Sequence, residues 1–233
     1  YRIEHWELSF DGYIRAGILS DMGRDVEAVM YLEDLLKVVG PKEKDYLRIL
    51  WTDCLIRLGE HERIDAYIAS KRGDSKGYAA VMAAKRYMLS NDLARATDLY
   101  WRYKDRDNSF DEQIFVFNMR EAGFEKESVE WFMKHIFPSM DARNENDAFS
   151  LNKEISRCRE NGFDKEAIPL YEALLKRDPY NVELNAGLAM ALFAAGRNED
   201  AVRALAVTGS AYEYMADRSL MHNLSYDDLV KKI

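Results

Sequence analysis

Four histidines and two cysteines are the side chains best suited to hold a metal or serve as a nucleophile: His5, His61, His135, His222, Cys54 and Cys158. A helical metal site needs ligands three or four residues apart, because only those positions share a face. No histidine here has a second histidine at that spacing. The two cysteines lie in separate apolar helical patterns and form neither a disulfide framework nor a zinc-ligand set, so they read as buried core thiols. There is no glycine-rich phosphate loop and no nucleophile elbow. Acidic pairs are plentiful, as on any solvated helix face of an acidic protein, and abundance alone does not imply acid–base work. Arg72-Gly73-Asp74 resembles an adhesion tripeptide but falls between helices, where glycine and aspartate are expected anyway. Asn223-Leu224-Ser225 is a formal glycosylation sequon, although Ser225 with Asp228 three residues later reads better as a helix start. The expectation is therefore no catalytic residue, no metal, no cofactor and no enzymatic activity.

The elements that carry these residues are helical. The 233 residues are 48% hydrophobic and 12% aromatic with only four prolines, which supports a packed core and favours helix over strand. The formal charge is −8 and no run of Lys or Arg exceeds two residues, which disfavours nucleic acid as a partner, since phosphates demand a basic surface. No apolar run approaches the ~18 residues of a membrane span. No signal peptide is visible, and a cytoplasmic setting is favoured. A chain that opens on Tyr1 and not on Met is expected of a trimmed or processed piece.

The chain repeats itself. Gly162 and Gly196 are 34 residues apart, and each is followed five residues later by an alanine, Ala167 and Ala201. Read backward, Gly23 leads to Ala28, Gly59 to Ile64, Asn91 to Ala96 and Gly123 to Ser128. The spacings between the six turn residues are 36, 32, 32, 39 and 34. Before each turn runs an apolar-periodic stretch that predicts a first helix; after it comes a second stripe, such as Val29, Leu32 and Leu36, or Ile168, Tyr171 and Leu175. The turn residue has to leave the first helix through a left-handed conformation, which glycine adopts freely and asparagine tolerates. The small residue five later belongs where two helices cross closely. Asp25, Asp164 and Asn198 are placed to cap the second helices. Gly40-Pro41, residues 71–77, 105–109 and 138–147, and Asp178-Pro179 separate the hairpins, and Pro169 is expected to cost its helix a hydrogen bond.

This pattern resembles the tetratricopeptide repeat family. Gly162, Ala167, Tyr171 and Pro179 match its turn glycine, small residue, aromatic and closing proline, and Gly196, Ala201 and Leu205 match the next repeat. The resemblance extends over residues 9–209, with Ile64 and Ser128 departing from the small alanine. Pentatricopeptide and Sel1-like arrays share the same hairpin logic. The resemblance implies an all-α fold, a right-handed α-α superhelix of about six hairpins. As one solenoid over 1–233, its repeats would span 9–44, 45–76, 77–108, 109–147, 148–181 and 182–209, with 210–233 as terminal capping helices.

The resemblance further implies a groove lined by the first helix of each pair. The second position of each repeat is then Phe10, Tyr46, Tyr78, Phe110, Phe149 and Glu183. Other inward positions are Tyr13, Ile14, Ile49 and Leu50, then Val81, Met82, Ile114 and Phe117. The last two repeats present the smaller or more polar Asn152, Lys153, Ser156, Ala186, Gly187 and Met190. Two alternatives stay open. These side chains line an apolar groove for an amphipathic helix or an extended peptide, or they pack between neighbouring helices. The family's chaperone-binding carboxylate clamp is missing, because Tyr13, Gly17 and Leu50 occupy its positions. The function implied is a protein-interaction scaffold or adaptor with a protein or peptide partner. The competing readings are a pentatricopeptide-like RNA-binding array, a regulatory helical module of a larger enzyme or assembly, and association with a second copy.

Overall fold

A computed structural model describes residues 2–40, 44–72, 74–104 and 112–215. Among these residues there are helices and turns and no strand. The chain forms two compact units, Tyr1–Phe124 and Glu125–Ile233. The first holds α1 (Arg2–Asp21), α2 (Asp25–Val38), α3 (Lys44–Leu58), α4 (His61–Ser70), α5 (Asp74–Leu89), α6 (Leu93–Tyr103) and α7 (Glu112–Glu121). The second holds α8 (Glu125–Trp131), α9 (Glu145–Glu160), α10 (Asp164–Leu175), α11 (Val182–Ala194) and α12 (Asn198–Met215). From α1 to α6 in the first unit and from α9 to α12 in the second, helices adjacent in sequence pack on one another, and in the first unit α1, α3, α5 and α7 also meet in succession.

One turn is used six times. Gly23, Gly59, Gly123, Gly162 and Gly196 have φ between 73° and 87°, and Asn91 has φ 62°. In each turn the left-handed residue donates its N–H to the carbonyl three back, and the next residue donates to the carbonyl five back: Gly23 to Ser20 and Arg24 to Leu19, Gly196 to Phe193 and Arg197 to Leu192. This is the double bond pattern that closes a helix at a left-handed residue. It also explains a departure from expectation. The residue after the turn glycine already precedes the new helix, so Asp25 and Asp164 are its first helical residues and not its caps. Neither α2 nor α10 has a side-chain cap bond. The acids act there on the helix dipole instead. Side-chain caps occur at Asp92, Asn144 and Asn181, whose oxygens accept from backbone N–H groups of α6, α9 and α11.

The residue five beyond each turn is where the helices cross. Ala28, Ile64, Ala96, Ser128, Ala167 and Ala201 are all fully buried. Cys54 and Cys158 are buried and not joined in a disulfide, one in each unit. The 39-residue spacing has a structural origin. After Trp131 the helix widens into a π turn over Phe132–Ile136 and then tightens into a 3₁₀ turn over Phe137–Ser139, so only 140–144 remain as loop before α9. Pro169 sits inside α10, which nevertheless continues to Leu175. At the other end α12 runs without a break to Met215, so Tyr212–Met215 extend the last hairpin and do not begin a separate capping helix. Residues 216–233, and with them His222, the sequon and Ser225, lie outside the described residues.

Candidate functional site

The candidate surface belongs to the first unit and is built from the first helix of each hairpin. On α1, Phe10, Tyr13 and Ile14 are exposed. Tyr13 meets Tyr46 of α3 edge to face, with ring centroids 5.4 Å apart, and so joins the two helices. Ile49 and Leu50 on α3, and Val81 and Met82 on α5, are half-buried. Tyr78 on α5 remains 48% exposed, and Ile114 and Phe117 on α7 are 45% and 51% exposed. None of these residues is sealed in the core. Phe110 lies outside the described residues. Phe149, 71% exposed, is on α9 in the second unit.

The six smaller positions of the last two repeats behave differently. Asn152, Lys153 and Ser156 are exposed on α9. Ala186 is buried, and Gly187 is where the Tyr171 ring crosses α11. A Cβ at Gly187 would lie 2.5 Å from the Tyr171 hydroxyl oxygen, so that position serves packing within the unit.

A pocket of about 30 Å³ opens where α3, α4 and α5 converge. Ile49, Ile64, Ala79, Met82 and Ala83 form its apolar lining, and Tyr67, Tyr78, Asp45, Arg48, Thr52 and Arg86 supply polar atoms. Three of the expected groove residues, Ile49, Tyr78 and Met82, are thereby brought together. Arg48 was not anticipated. Its guanidinium stacks over the rings of Trp51 and Tyr67, at 5.0 Å and 4.4 Å from their centroids. Burial lowers its pKa from the ordinary value and raises that of Tyr67. A sequence signal existed, since Arg48 precedes Trp51 by three residues on one helix face. Arg86 is committed elsewhere: its Nε and Nη2 donate to the two Asp53 oxygens, each at 2.5 Å.

Behind this face the hairpins of the first unit are joined by polar contacts about one repeat apart. Arg57 donates to both oxygens of Asp25 at 2.8–3.1 Å, and Ser20 donates to the same carboxylate. The Arg57 hydrogen bonds hold the Asp25 carboxyl below its ordinary value of 3.8. Glu33 accepts from Trp51 Nε1 at 3.1 Å and from Arg63 at 2.6 Å. His61 Nδ1 and the Tyr87 hydroxyl lie 3.1 Å apart, and burial pushes the Tyr87 phenol up to about 12. On the next hairpin Tyr100 donates to Glu112 and stacks on Phe115 at 4.5 Å, which ties α6 to α7.

A family model described as tetratricopeptide repeat matches residues 165–212, the stretch from α10 to α12. That stretch is similar to a tetratricopeptide repeat, and the rest of the chain lies outside the match. No curated protein matches it. Repeats of this kind are typically non-catalytic modules for protein–protein interaction, and the match suggests such a module here. Among the described residues no group of three His, Cys, Asp or Glu side chains could hold a metal ion. Among the same residues no helix is long and apolar enough to cross a membrane. The matched tetratricopeptide segment and the apolar face are in different units, so the family match and the candidate surface rest on separate parts of the sequence.

Proposed function

We propose that the α1–α3–α5–α7 face binds an apolar segment of a protein partner, either an amphipathic helix or an extended peptide, and that the chain acts as an adaptor. The observation that carries this reading is the exposure of Phe10, Ile14, Tyr78, Ile114 and Phe117, between 44% and 51%, on helices that pack side by side. Exposed apolar side chains gathered on one face are a feature of interaction surfaces, whereas isolated ones are ordinary. The stacked helices supply a rigid backing, so little ordering is required of this side on binding. Tyr13, Tyr46, Ile49, Leu50, Val81 and Met82 fill the spaces between the exposed anchors and complete the surface. Phe149 is assigned to a second, separate contact on α9.

Selection of short displayed peptides against the whole chain tests this directly. Peptides with apolar anchors are expected, and Leu50→Asp with Ile114→Asp should abolish their binding while the circular dichroism of the protein stays helical. Met30→Asp, at a 64% exposed position on α2, should leave binding unchanged. Equal binding by the Leu50→Asp/Ile114→Asp protein would remove the face from consideration. Sedimentation velocity over a concentration series distinguishes a second copy of the chain from a foreign partner.

A further inference from the structure

We propose that the pocket among α3, α4 and α5 takes a side-chain carboxylate of the partner segment, held by Arg48 next to an apolar residue resting on Tyr78 and Met82. This rests on the reading of that face as protein-binding and adds the chemistry of one anchor.

The arginines on these helices set the comparison. Arg57, Arg63, Arg86 and Arg102 each hold a carboxylate from a neighbouring helix. Arg48 lies among them and, among the described residues, forms no ion pair within 4 Å; its guanidinium stacks on the rings of Trp51 and Tyr67, with Glu33 acting on it through space. Stacking occupies the faces of a guanidinium and leaves the N–H groups on its edge free to donate. The lowered pKa of Arg48 shows that burial has already removed part of its hydration. A carboxylate reaching that edge would gain charge-assisted hydrogen bonds in the planar fork geometry that guanidinium favours.

Other occupants fit less well. A cation would meet the guanidinium of Arg48 on the pocket wall. A methyl or methylene group would strip the remaining water from Arg48 and give nothing back. The pocket volume of about 30 Å³ holds roughly two water-sized groups, which suits the two oxygens of a carboxylate. One acid, Asp45, lines the pocket, and a second, Glu33, acts on Arg48 through space. Glu33 already accepts from Trp51 Nε1 and Arg63. Asp45 is exposed at the rim, where water screens it, and it opposes entry only weakly. The Thr52 hydroxyl is spent on the Arg48 carbonyl at 2.8 Å and does not compete. The pocket is separate from the clamp positions of this family, which Tyr13, Gly17 and Leu50 fill here.

The test uses short peptides selected by display on the whole chain, then made synthetically with acetylated and amidated ends in Glu and Gln versions. The expected result is enrichment of Glu or Asp within one helical turn of an apolar anchor. Replacing that Glu by Gln should weaken binding about tenfold, the scale of a hydrogen bond to a charged group. Arg48→Met keeps the stem on Trp51 and Tyr67 and should cost the Glu peptide about the same factor and the Gln peptide almost nothing. If Arg48→Met loses helicity, the Glu-to-Gln comparison on the unaltered protein decides. Equal binding of both versions overturns the carboxylate assignment and leaves the apolar face standing. Binding confined to peptides with a free C-terminal carboxylate overturns it too. Absence of apolar selection removes both readings together.

Discussion

In the first unit Asp25 and Arg57, one hairpin apart, meet through three hydrogen bonds, while in the second unit the Tyr171 ring lies against the bare backbone of Gly187. The turns that build the two units are the same. What joins one hairpin to the next differs. The first unit uses Asp25–Arg57, Asp53–Arg86, Glu33–Arg63 and Asp65–Arg102, each linking different helices. In the second unit the ion pairs Lys126–Glu130, Arg157–Glu154, Arg197–Asp200 and Arg203–Asp200 each link positions three or four apart. Its helices also meet through small buried residues, Ala167, Ala186, Ala189, Ala191 and Ala201, as the first unit's do through Ala16, Ala28, Ala80, Ala83 and Ala84. At the inward positions of its last two hairpins the residues are smaller or more polar, Asn152, Lys153, Ser156, Ala186 and Gly187. Larger residues at the first unit's inward positions hold side chains in water, and those side chains are the binding candidates. If the first unit's face binds as proposed, one hairpin plan serves packing in the second unit and recognition in the first.

Four substitutions test this contrast, beginning with the largest effect. Leu170→Ala, at a fully buried site in α10, should cost about 3 kcal/mol from lost burial and the cavity left behind, measured by denaturant unfolding. Gly187→Ala should cost about 2 kcal/mol, because the new Cβ forces the rigid Tyr171 ring to move, and the loss should be insensitive to salt. A Gly187→Ala protein as stable as the original would break the claim that small residues join the second unit. Asp25→Asn should cost about 1 kcal/mol, reduced because the Arg57 side chain is 46% exposed, and this loss should shrink at high salt. The same pair predicts a pH effect with a definite sign. The folded carboxyl pKa lies below 3.8, so its contribution is complete above about pH 4 and fades as pH falls through the folded value. Acid titration of unfolding should therefore show a shallower fall in Asp25→Asn than in the original. Phe149→Ser is the smallest test: a residue 71% exposed should change stability by less than about 0.5 kcal/mol.

The six left-handed turns and the fully buried residue five beyond each were legible from residue identity, since only certain residues adopt positive φ and only small or well-fitted ones occupy a close crossing. The positions of the side-chain caps were not, because the doubly bonded turn shifts the start of each second helix by one residue relative to the aspartates. The π turn after Trp131 was likewise hidden: its apolar residues carry the same pattern as an ordinary helix.

The sequence by itself determined the helical hairpins, their period and their turns, because these depend on short-range backbone preference and on the 3.6-residue repeat of apolar side chains. Only the tertiary structure decided that Tyr78, Ile49 and Met82 share a pocket with Arg48, that Ala186 is buried while Phe149 stands in solvent, and that Asp25 pairs with Arg57. Those outcomes depend on how far each helix turns and slides against its neighbour, and that is set by the joint packing of many side chains distant in the chain.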